Sequence, residues 1–303
     1  MVWNDFTFTE DDVEECDYLV ILDYPKKDFE IKVSPDNIIH LCLEPPNEVS
    51  KYRQYANKQA SLICAQIPTG KNTILSHGAL PWHIDQDFDF LNTLQPGSLK
   101  KKNQVVWITS DQRSSKGHHS RMKFLDTIRE LPNISLYGRG INPINDKWEV
   151  LSNSKYGIAY ENFNNQYYWT EKISDCFLSY TLPLYFGCTE ISNYFPENSY
   201  IQIDPKDKHI DLFFKELLES NKWEKSIEAI REARERVLFK YQLFPFLYDQ
   251  ISSMQAAKGV NGKEPKLHQF KGGDSYFDNY PIKVKLEKEF EKFKRNLRVK
   301  LKV

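Results

Sequence analysis

The sequence lacks the features that would place it among zinc-binding, secreted or membrane-spanning proteins. Its five cysteines are scattered and include no Cys-x-x-Cys pair, which speaks against a zinc or redox site and favours buried free thiols. No apolar run approaches the roughly 18 residues that a bilayer-spanning helix needs. The acidic segment 1–16 has no basic-then-apolar leader pattern. We therefore expect a cytoplasmic protein.

The positive and negative charges of the chain nearly cancel. A formal net charge of −1 over 303 residues gives no overall attraction to nucleic acid, so we predict no nucleic-acid partner. The adjacent His118 and His119 would diverge by about 100° on a helix, which disfavours a shared metal ion. The chain is long enough for two domains, and its hydrophobic content of 40% is typical of a soluble globular enzyme.

Short apolar runs alternate with helix-like stretches along the chain, which predicts an α/β fold with mostly parallel sheets. The segment 88–104 combines Pro, Gly and a lysine run, so it is the best linker candidate. We predict domains at 1–100 and 101–255, followed at 256–303 by an irregular stretch and a basic amphipathic helix. The predicted strands are 18–22, 38–43, 61–66, 105–110, 134–138, 156–162, 182–187 and 199–204, and helices are predicted at 120–131 and 170–180.

Two segments in the second half of the chain contain candidate ligand-binding residues. The loop 111–119 follows a predicted strand and leads into a helix, where main-chain amides and Arg121 could hold a diphosphate, although a solvated surface arginine is equally open. In the other helix, Thr170 is a natural N-cap and Glu171 suits the helix dipole. Lys172 is a cation in the first helical turn, where the positive end of the same dipole disfavours it. A bound anion would remove the conflict.

The run YENFNNQYYWTEKISDCFLSYTLPLYFG (160–187) resembles the nucleotide-sugar motif of glycosyltransferase family 10, the α-1,3/4-fucosyltransferases, including short bacterial-type members. The segment Asn193–Asp204 fits the family pattern too, as do an upstream strand, an Arg-containing helix and a Tyr-Gly-Arg turn. The resemblance is strong over 105–205, weaker over 15–90 and lost after about 250.

This resemblance implies a GT-B architecture, in which two Rossmann-like domains face each other across a cleft, here with a helical C-terminal extension. It implies an inverting transfer of L-fucose from GDP-L-fucose to a hydroxyl of a glycan acceptor. No cofactor or metal site is required if protein cations stabilise the diphosphate, and stimulation by a divalent metal is left open. By the family's motif, Arg121, Tyr168 and Lys172 would hold the diphosphate, Glu171 the ribose hydroxyls and Asn162 would lie near the donor, with Ser110 and Glu161 as further donor-side candidates.

The family's catalytic base is a glutamate at the end of an N-terminal strand. Glu44 occupies such a position after the run 38–43, and Pro45 and Pro46 would fix its backbone. Glu48 is the competing candidate.

Two further features concern partners. His77, Trp82 and His83 could contact the acceptor, or could simply belong to a packed loop. The segment 282–303 carries nine Lys or Arg against three Glu and an apolar stripe, which suits peripheral docking on an anionic inner membrane face. Packing against the protein's own body or a second subunit explains the stripe equally well, and the oligomeric state is left open.

Two other functions remain open on the sequence. The same scaffold could use a different nucleotide sugar, or the chain could be a noncatalytic glycan- or membrane-binding protein built on a transferase scaffold.

Overall fold

The structure is a computed structural model that describes residues 1–46, 56–113, 115–258 and 263–273. The described residues form two compact units. Unit 1 contains residues 1–78 and the described residues from Tyr248 onward, and unit 2 contains Ala79–Leu247. These limits differ from the predicted domains, which placed the first break at residue 100.

The elements follow the predicted alternation of strands and helices. The strands are β1 (Val2–Trp3), β2 (Phe6–Thr7), β3 (Leu19–Leu22), β4 (Phe29–Val33), β5 (Ile38–Leu41), β6 (Leu62–Ala65), β7 (Thr73–Leu75), β8 (Lys102–Ile108), β9 (Ile134–Tyr137), β10 (Ser154–Tyr160), β11 (Leu182–Phe186), β12 (Ile201–Gln202) and β13 (Lys266–Phe270). The helices are α1 (Phe88–Thr93), α2 (Lys116–Ile128), α3 (Trp148–Leu151), α4 (Glu171–Leu178), α5 (Ile210–Glu219), α6 (Lys222–Arg236) and α7 (Leu243–Lys258), with a π-helical turn at Val237–Tyr241 between the last two.

Unit 1 is built on a parallel four-stranded sheet in the order β3-β5-β6-β7. The central strands β5 and β6 are buried along their whole length. Their unbroken apolar sequences are what burial on both faces of a parallel sheet requires.

A second, antiparallel pair joins distant parts of the chain in unit 1. Strand β13 pairs with β4, and Phe270 stacks on Phe29 with ring centroids 4.8 Å apart. The sequence analysis expected an irregular chain over 256–281. The strand was missed because its pairing partner lies more than 200 residues away, beyond the reach of local patterns.

Unit 2 contains a parallel five-stranded sheet in the order β12-β11-β10-β8-β9. Its core is rich in fully buried aromatic rings, among them Trp107, Tyr156 and Phe177. Helix α2 begins at the cap Ser115, whose Oγ accepts the His118 N–H, and α4 begins at the cap Thr170. Both parallel sheets confirm the predicted α/β fold class.

The predicted linker 88–104 is packed into unit 2. Leu91 is fully buried, and its carbonyl accepts a hydrogen bond of 2.6 Å from Arg234. Lys101 Nζ donates to the carbonyls of Leu151 and Ser179 at 2.8 and 2.6 Å, and to Thr181 Oγ1 at 3.0 Å. These contacts explain why the break between the units falls before this segment.

Among the helices that the structure describes, none combines the length and the apolar composition needed to cross a membrane. The basic segment 282–303 and its predicted docking role lie outside the described residues.

Candidate active site

The site lies where β10 ends, at the carboxyl edge of the parallel sheet in unit 2. Open α/β sheets bind their ligands at this edge. Glu161 and Asn162 follow the last strand residue, Tyr160. Each of the two fixes one cation: Glu161 pairs with Lys172 from α4, and Asn162 pairs with Arg121 from α2.

Glu161 is saturated with hydrogen bonds inside the protein. It is 1% exposed and accepts from the Thr170 N–H at 2.8 Å and from Thr170 Oγ1 at 2.7 Å. Lys172 Nζ donates to the second oxygen at 3.0 Å. Burial raises the pKa of Glu161, and the ammonium of Lys172 opposes this rise. Glu161, a donor-side candidate from the sequence, therefore acts by anchoring Lys172 rather than by facing solvent.

Lys172 keeps its charge in this environment. Burial by itself would lower its pKa, but the carboxylates of Glu161 and Glu171 outweigh burial, and the pKa is raised. Its side chain remains 25% exposed. A charged ammonium thus stands at the N-terminus of α4, where the helix dipole also attracts anions.

Arg121 is held in a fixed orientation by polar partners. It is 5% exposed, and NH1 donates to Asn162 Oδ1 at 2.9 Å. NH2 donates to the Ser110 carbonyl and hydroxyl at 3.1 and 3.2 Å, while the buried Nε has no hydrogen-bond partner among the described residues. Ser110, another donor-side candidate, therefore lies beside Arg121. The guanidinium is preorganised, and its Nε–H is still to be satisfied.

A glycine lets α2 approach the end of β10. A Cβ on Gly117 would lie 1.8 Å from the carbonyl oxygen of Asn162. Glycine in a first helical turn is unfavourable by itself, so its presence there could have drawn attention in the sequence. The close approach brings the α2 N-terminus, and with it Arg121, next to the strand end.

His118, in the first turn of α2, lies within the electrostatic reach of both cations. Burial, followed by the charges of Arg121, His119 and Lys172, lowers its pKa to about 4. The imidazole is therefore neutral near pH 7. Because Arg121 and Lys172 both act on His118, the two predicted diphosphate ligands occupy one neighbourhood.

Two lysine ammonium groups and one imidazole lie close to Glu171. Its Oε1 lies 3.6 Å from Lys172 Nζ, and 3.8 Å from both Lys147 Nζ and His83 Nδ1. Burial would raise the pKa of Glu171, but these groups lower it to about 2. The carboxylate is therefore ionised at every physiological pH and only 13% exposed.

The remaining donor-side prediction, Tyr168, is 4% exposed and packs edge-on against Phe163, with ring centroids 5.8 Å apart. Its N–H donates to Asn165 Oδ1 at 2.7 Å. The structure therefore makes the ring part of the core next to the site, and a direct role on a diphosphate stays a prediction.

The three residues suggested for acceptor contact fall in different units. His77 is buried in unit 1, whereas Trp82 and His83 belong to unit 2. The ring of His83 is next to Glu171, so this histidine lies beside the donor-side candidates. The proposed acceptor contact is untested for all three.

Glu44 is exposed and is the third residue after β5, at the carboxyl edge of the parallel sheet in unit 1. Asp23 Oδ1 accepts from the Leu43 N–H at 3.0 Å, which fixes the backbone just before the glutamate. Its competitor, Glu48, lies outside the described residues.

Comparison with known proteins supports the resemblance over this part of the chain. The profile of glycosyltransferase family 10 (fucosyltransferase), C-terminal part, matches residues 98–224. The matched residues 98–224, called the family 10 region below, make up less than half of the chain. Arg121, Asn162, Tyr168, Glu171 and Lys172 all lie inside this family 10 region, whereas Glu44 lies outside it.

Individual relatives of the family 10 region are distant. The 4-galactosyl-N-acetylglucosaminide 3-alpha-L-fucosyltransferase 9 of Homo sapiens is 27% identical over 129 residues, which is 40% of this chain and 35% of the relative. The alpha-(1,3)-fucosyltransferase FucT of Helicobacter pylori is 33% identical over 60 residues, covering 20% of this chain and 13% of the relative. The chain thus spans about a third of the length of the first of these relatives.

Solved structures show looser similarity. An alpha1,3-fucosyltransferase crystallised with GDP-fucose aligns with a TM-score of 0.40 at 14% identity, over 80% of this chain and 78% of that one. An alpha-glucosyltransferase in complex with UDP-glucose and DNA aligns with a TM-score of 0.46 at 12% identity, over 73% of each chain. Such values are too low to support a shared overall arrangement.

The family 10 region also contains site residues that the sequence analysis did not select. Lys147 Nζ donates to Asp175 Oδ2 at 2.7 Å, and the same carboxylate accepts the His83 N–H at 2.8 Å. These residues are 28 and 92 positions away from Asp175. No local pattern links them, because only the packing of α4 brings them together.

Proposed function

We propose that the chain transfers L-fucose from GDP-L-fucose to a hydroxyl of a glycan acceptor, with inversion at the sugar carbon. The observation that carries this proposal is the pair of fixed cations at the end of β10. Arg121 is bound to Asn162 at 2.9 Å and Lys172 to Glu161 at 3.0 Å, so consecutive residues of one strand end position both.

Such a pair suits a leaving diphosphate. When the bond between the sugar and the diphosphate breaks, negative charge accumulates on the phosphate oxygens. Cations already held in place stabilise that charge without reorganisation, which lowers the barrier. We further propose that Glu171, which is ionised and lies beside Lys172, accepts hydrogen bonds from the ribose hydroxyls.

We propose Glu44 as the base that removes the proton of the acceptor hydroxyl while that oxygen attacks the sugar carbon. The exposed carboxylate at the carboxyl edge of a parallel sheet supports this role, as do the two following prolines that restrict the backbone. We also propose that the protein's own cations take the place of a bound metal ion. The turnover rate should therefore not change when EDTA is added.

The proposal is tested by GDP-L-fucose turnover with a glycan acceptor. Glu44→Gln should reduce kcat by at least a hundredfold, the usual scale of general-base catalysis, while GDP affinity is retained. Glu10→Gln, which alters an exposed glutamate of the same unit, is the matched control. A Glu44→Gln enzyme of normal rate would remove Glu44 from the mechanism.

Donor identity is tested separately, because another nucleotide sugar could use the same diphosphate site. A ligand that binds only the folded protein raises its melting temperature. GDP-L-fucose should therefore stabilise the protein more than UDP- or ADP-sugars at equal concentration. Carbohydrate binding without any affinity for GDP would instead support a noncatalytic glycan-binding protein.

A further inference from the structure

Lys147 is partly buried beside the site but has no role in the chemistry described above. It immediately precedes α3, and its side chain is 25% exposed. Its ammonium lies 2.7 Å from Asp175 Oδ2 and 3.8 Å from Glu171 Oε1. It therefore bridges two carboxylates that lie one helical turn apart on α4.

Asp175 fixes the position of that ammonium. Its side chain is 1% exposed, so the carboxylate cannot follow Lys147 towards solvent. It also accepts the His83 N–H at 2.8 Å, and so joins the loop that carries His83 to the same point. Burial raises the pKa of Asp175, and the ammonium of Lys147 opposes this rise. Lys147 thus serves as the internal counter-ion of Asp175.

Glu171 is held differently. The nearest nitrogens of Lys172, Lys147 and His83 lie 3.6 to 3.8 Å from its Oε1, beyond the 2.7–3.2 Å of ordinary N–H···O hydrogen bonds. These ion pairs keep the carboxylate ionised and fix its location, yet they leave acceptor capacity on its oxygens. A carboxylate in this state is suited to hydroxyl donors from a ligand, in contrast to Glu161, whose oxygens are already bonded.

We propose that Lys147, anchored on Asp175, is a positioning residue that holds the Glu171 carboxylate ready for the two neighbouring hydroxyls of the donor's ribose. This inference rests on the proposed function, since it assumes that a ribonucleotide diphosphate occupies the site. Lys147 acts through Glu171, and its own ammonium remains on Asp175.

The test compares GDP with 2′,3′-dideoxy-GDP, which lacks both hydroxyls, by isothermal titration calorimetry on the full chain. Wild-type protein should bind the dideoxy ligand about 10- to 100-fold more weakly, the usual scale for hydrogen bonds to a charged acceptor. Lys147→Met should weaken GDP binding by a similar factor. It should add little to the loss seen with the dideoxy ligand, because the interaction through which Lys147 acts is then already absent.

Two variants and one control separate positioning from folding. Lys147→Arg keeps a cation and should recover much of the affinity for GDP, and Lys147→Gln replaces Met if the Met variant melts early. Lys155→Met removes a lysine whose partner, Glu224, lies on the surface of the same unit, and should leave both affinities unchanged. In turnover, Lys147→Met should raise the donor KM more than it lowers kcat.

Equal weakening of GDP and dideoxy-GDP binding by Lys147→Met would overturn the inference, since Lys147 would then act on the phosphates or on the fold. Unchanged GDP binding by that variant would overturn it as well, while leaving the proposed function intact. If wild-type protein binds no GDP, the proposed function fails and the inference fails with it.

Discussion

Replacing Lys172 with Met should destabilise unit 2, because it leaves the Glu161 carboxylate buried without its counter-ion. Removing one member of a buried ion pair typically costs about 3–5 kcal/mol. Glu161 keeps its bonds from the Thr170 N–H and hydroxyl, at 2.8 and 2.7 Å, so we expect the lower end, about 3 kcal/mol. For a unit of this size, that loss corresponds to a fall of roughly 6–12 °C in melting temperature.

The loss should depend on pH in a defined direction. Without Lys172, burial raises the pKa of Glu161 further above its value in the unfolded chain. A carboxyl whose folded pKa is raised favours folding below its unfolded pKa, and this contribution disappears as pH rises through the folded value. The destabilisation by Lys172→Met should therefore be smaller at pH 5.5 than at pH 8.

Thermal denaturation followed by circular dichroism measures both effects. The double variant Glu161→Gln/Lys172→Met removes the buried charge and should recover most of the lost stability. Arg129→Met, which breaks an exposed ion pair with Asp126 in the same unit, should cost less than about 1 kcal/mol. If the double variant melts as low as Lys172→Met, or if the loss does not change with pH, the argument from an uncompensated charge is refuted.

Three further outcomes are expected. Gly117→Ala should weaken GDP binding at least tenfold in titration calorimetry, since its Cβ meets a main-chain oxygen at 1.8 Å, whereas Gly97→Ala, with open space around it, should bind normally. GDP-fucose should bind more tightly at pH 5 than at pH 7.5, because a bound diphosphate raises the lowered pKa of His118 and binding takes up a proton; His118→Gln should remove this trend, and its persistence would contradict the reasoning. Lys101→Met removes the side-chain donor of the Ser179 carbonyl, while the Leu151 carbonyl keeps its bond from the Thr181 hydroxyl, so it should cost about 2 kcal/mol in urea denaturation, and an effect no larger than that of the exposed Lys102→Met would argue against it.

Much of the fold could be predicted from local patterns. The apolar runs 38–43 and 105–110 become the buried strands β5 and β8, with ends shifted by two or three residues. Thr170 caps its helix as expected. Such features depend on neighbouring residues alone, which is why one sequence reveals them.

Long-range packing could not be predicted in the same way. The pairing of β13 with β4 and the burial of Leu91 under Arg234 join residues that are more than 140 positions apart. The residues of the candidate site show the same difference between local and long-range signals. Lys172 attracted attention because it is misplaced on its own helix, whereas Lys147 shows its importance only through contact with another element.

The strand end at Glu161 and Asn162 also affects how the site responds to salt. Both lysines around it have acidic neighbours, and the three cations of the site are matched by three carboxylates, so the site carries little surplus charge. The cations are Arg121, Lys147 and Lys172, and the carboxylates are Glu161, Glu171 and Asp175. An anion bound here would be recognised by the pattern of charges rather than by bulk attraction. Added salt should therefore weaken its association only slightly, and its departure would not be slowed by a strong positive field.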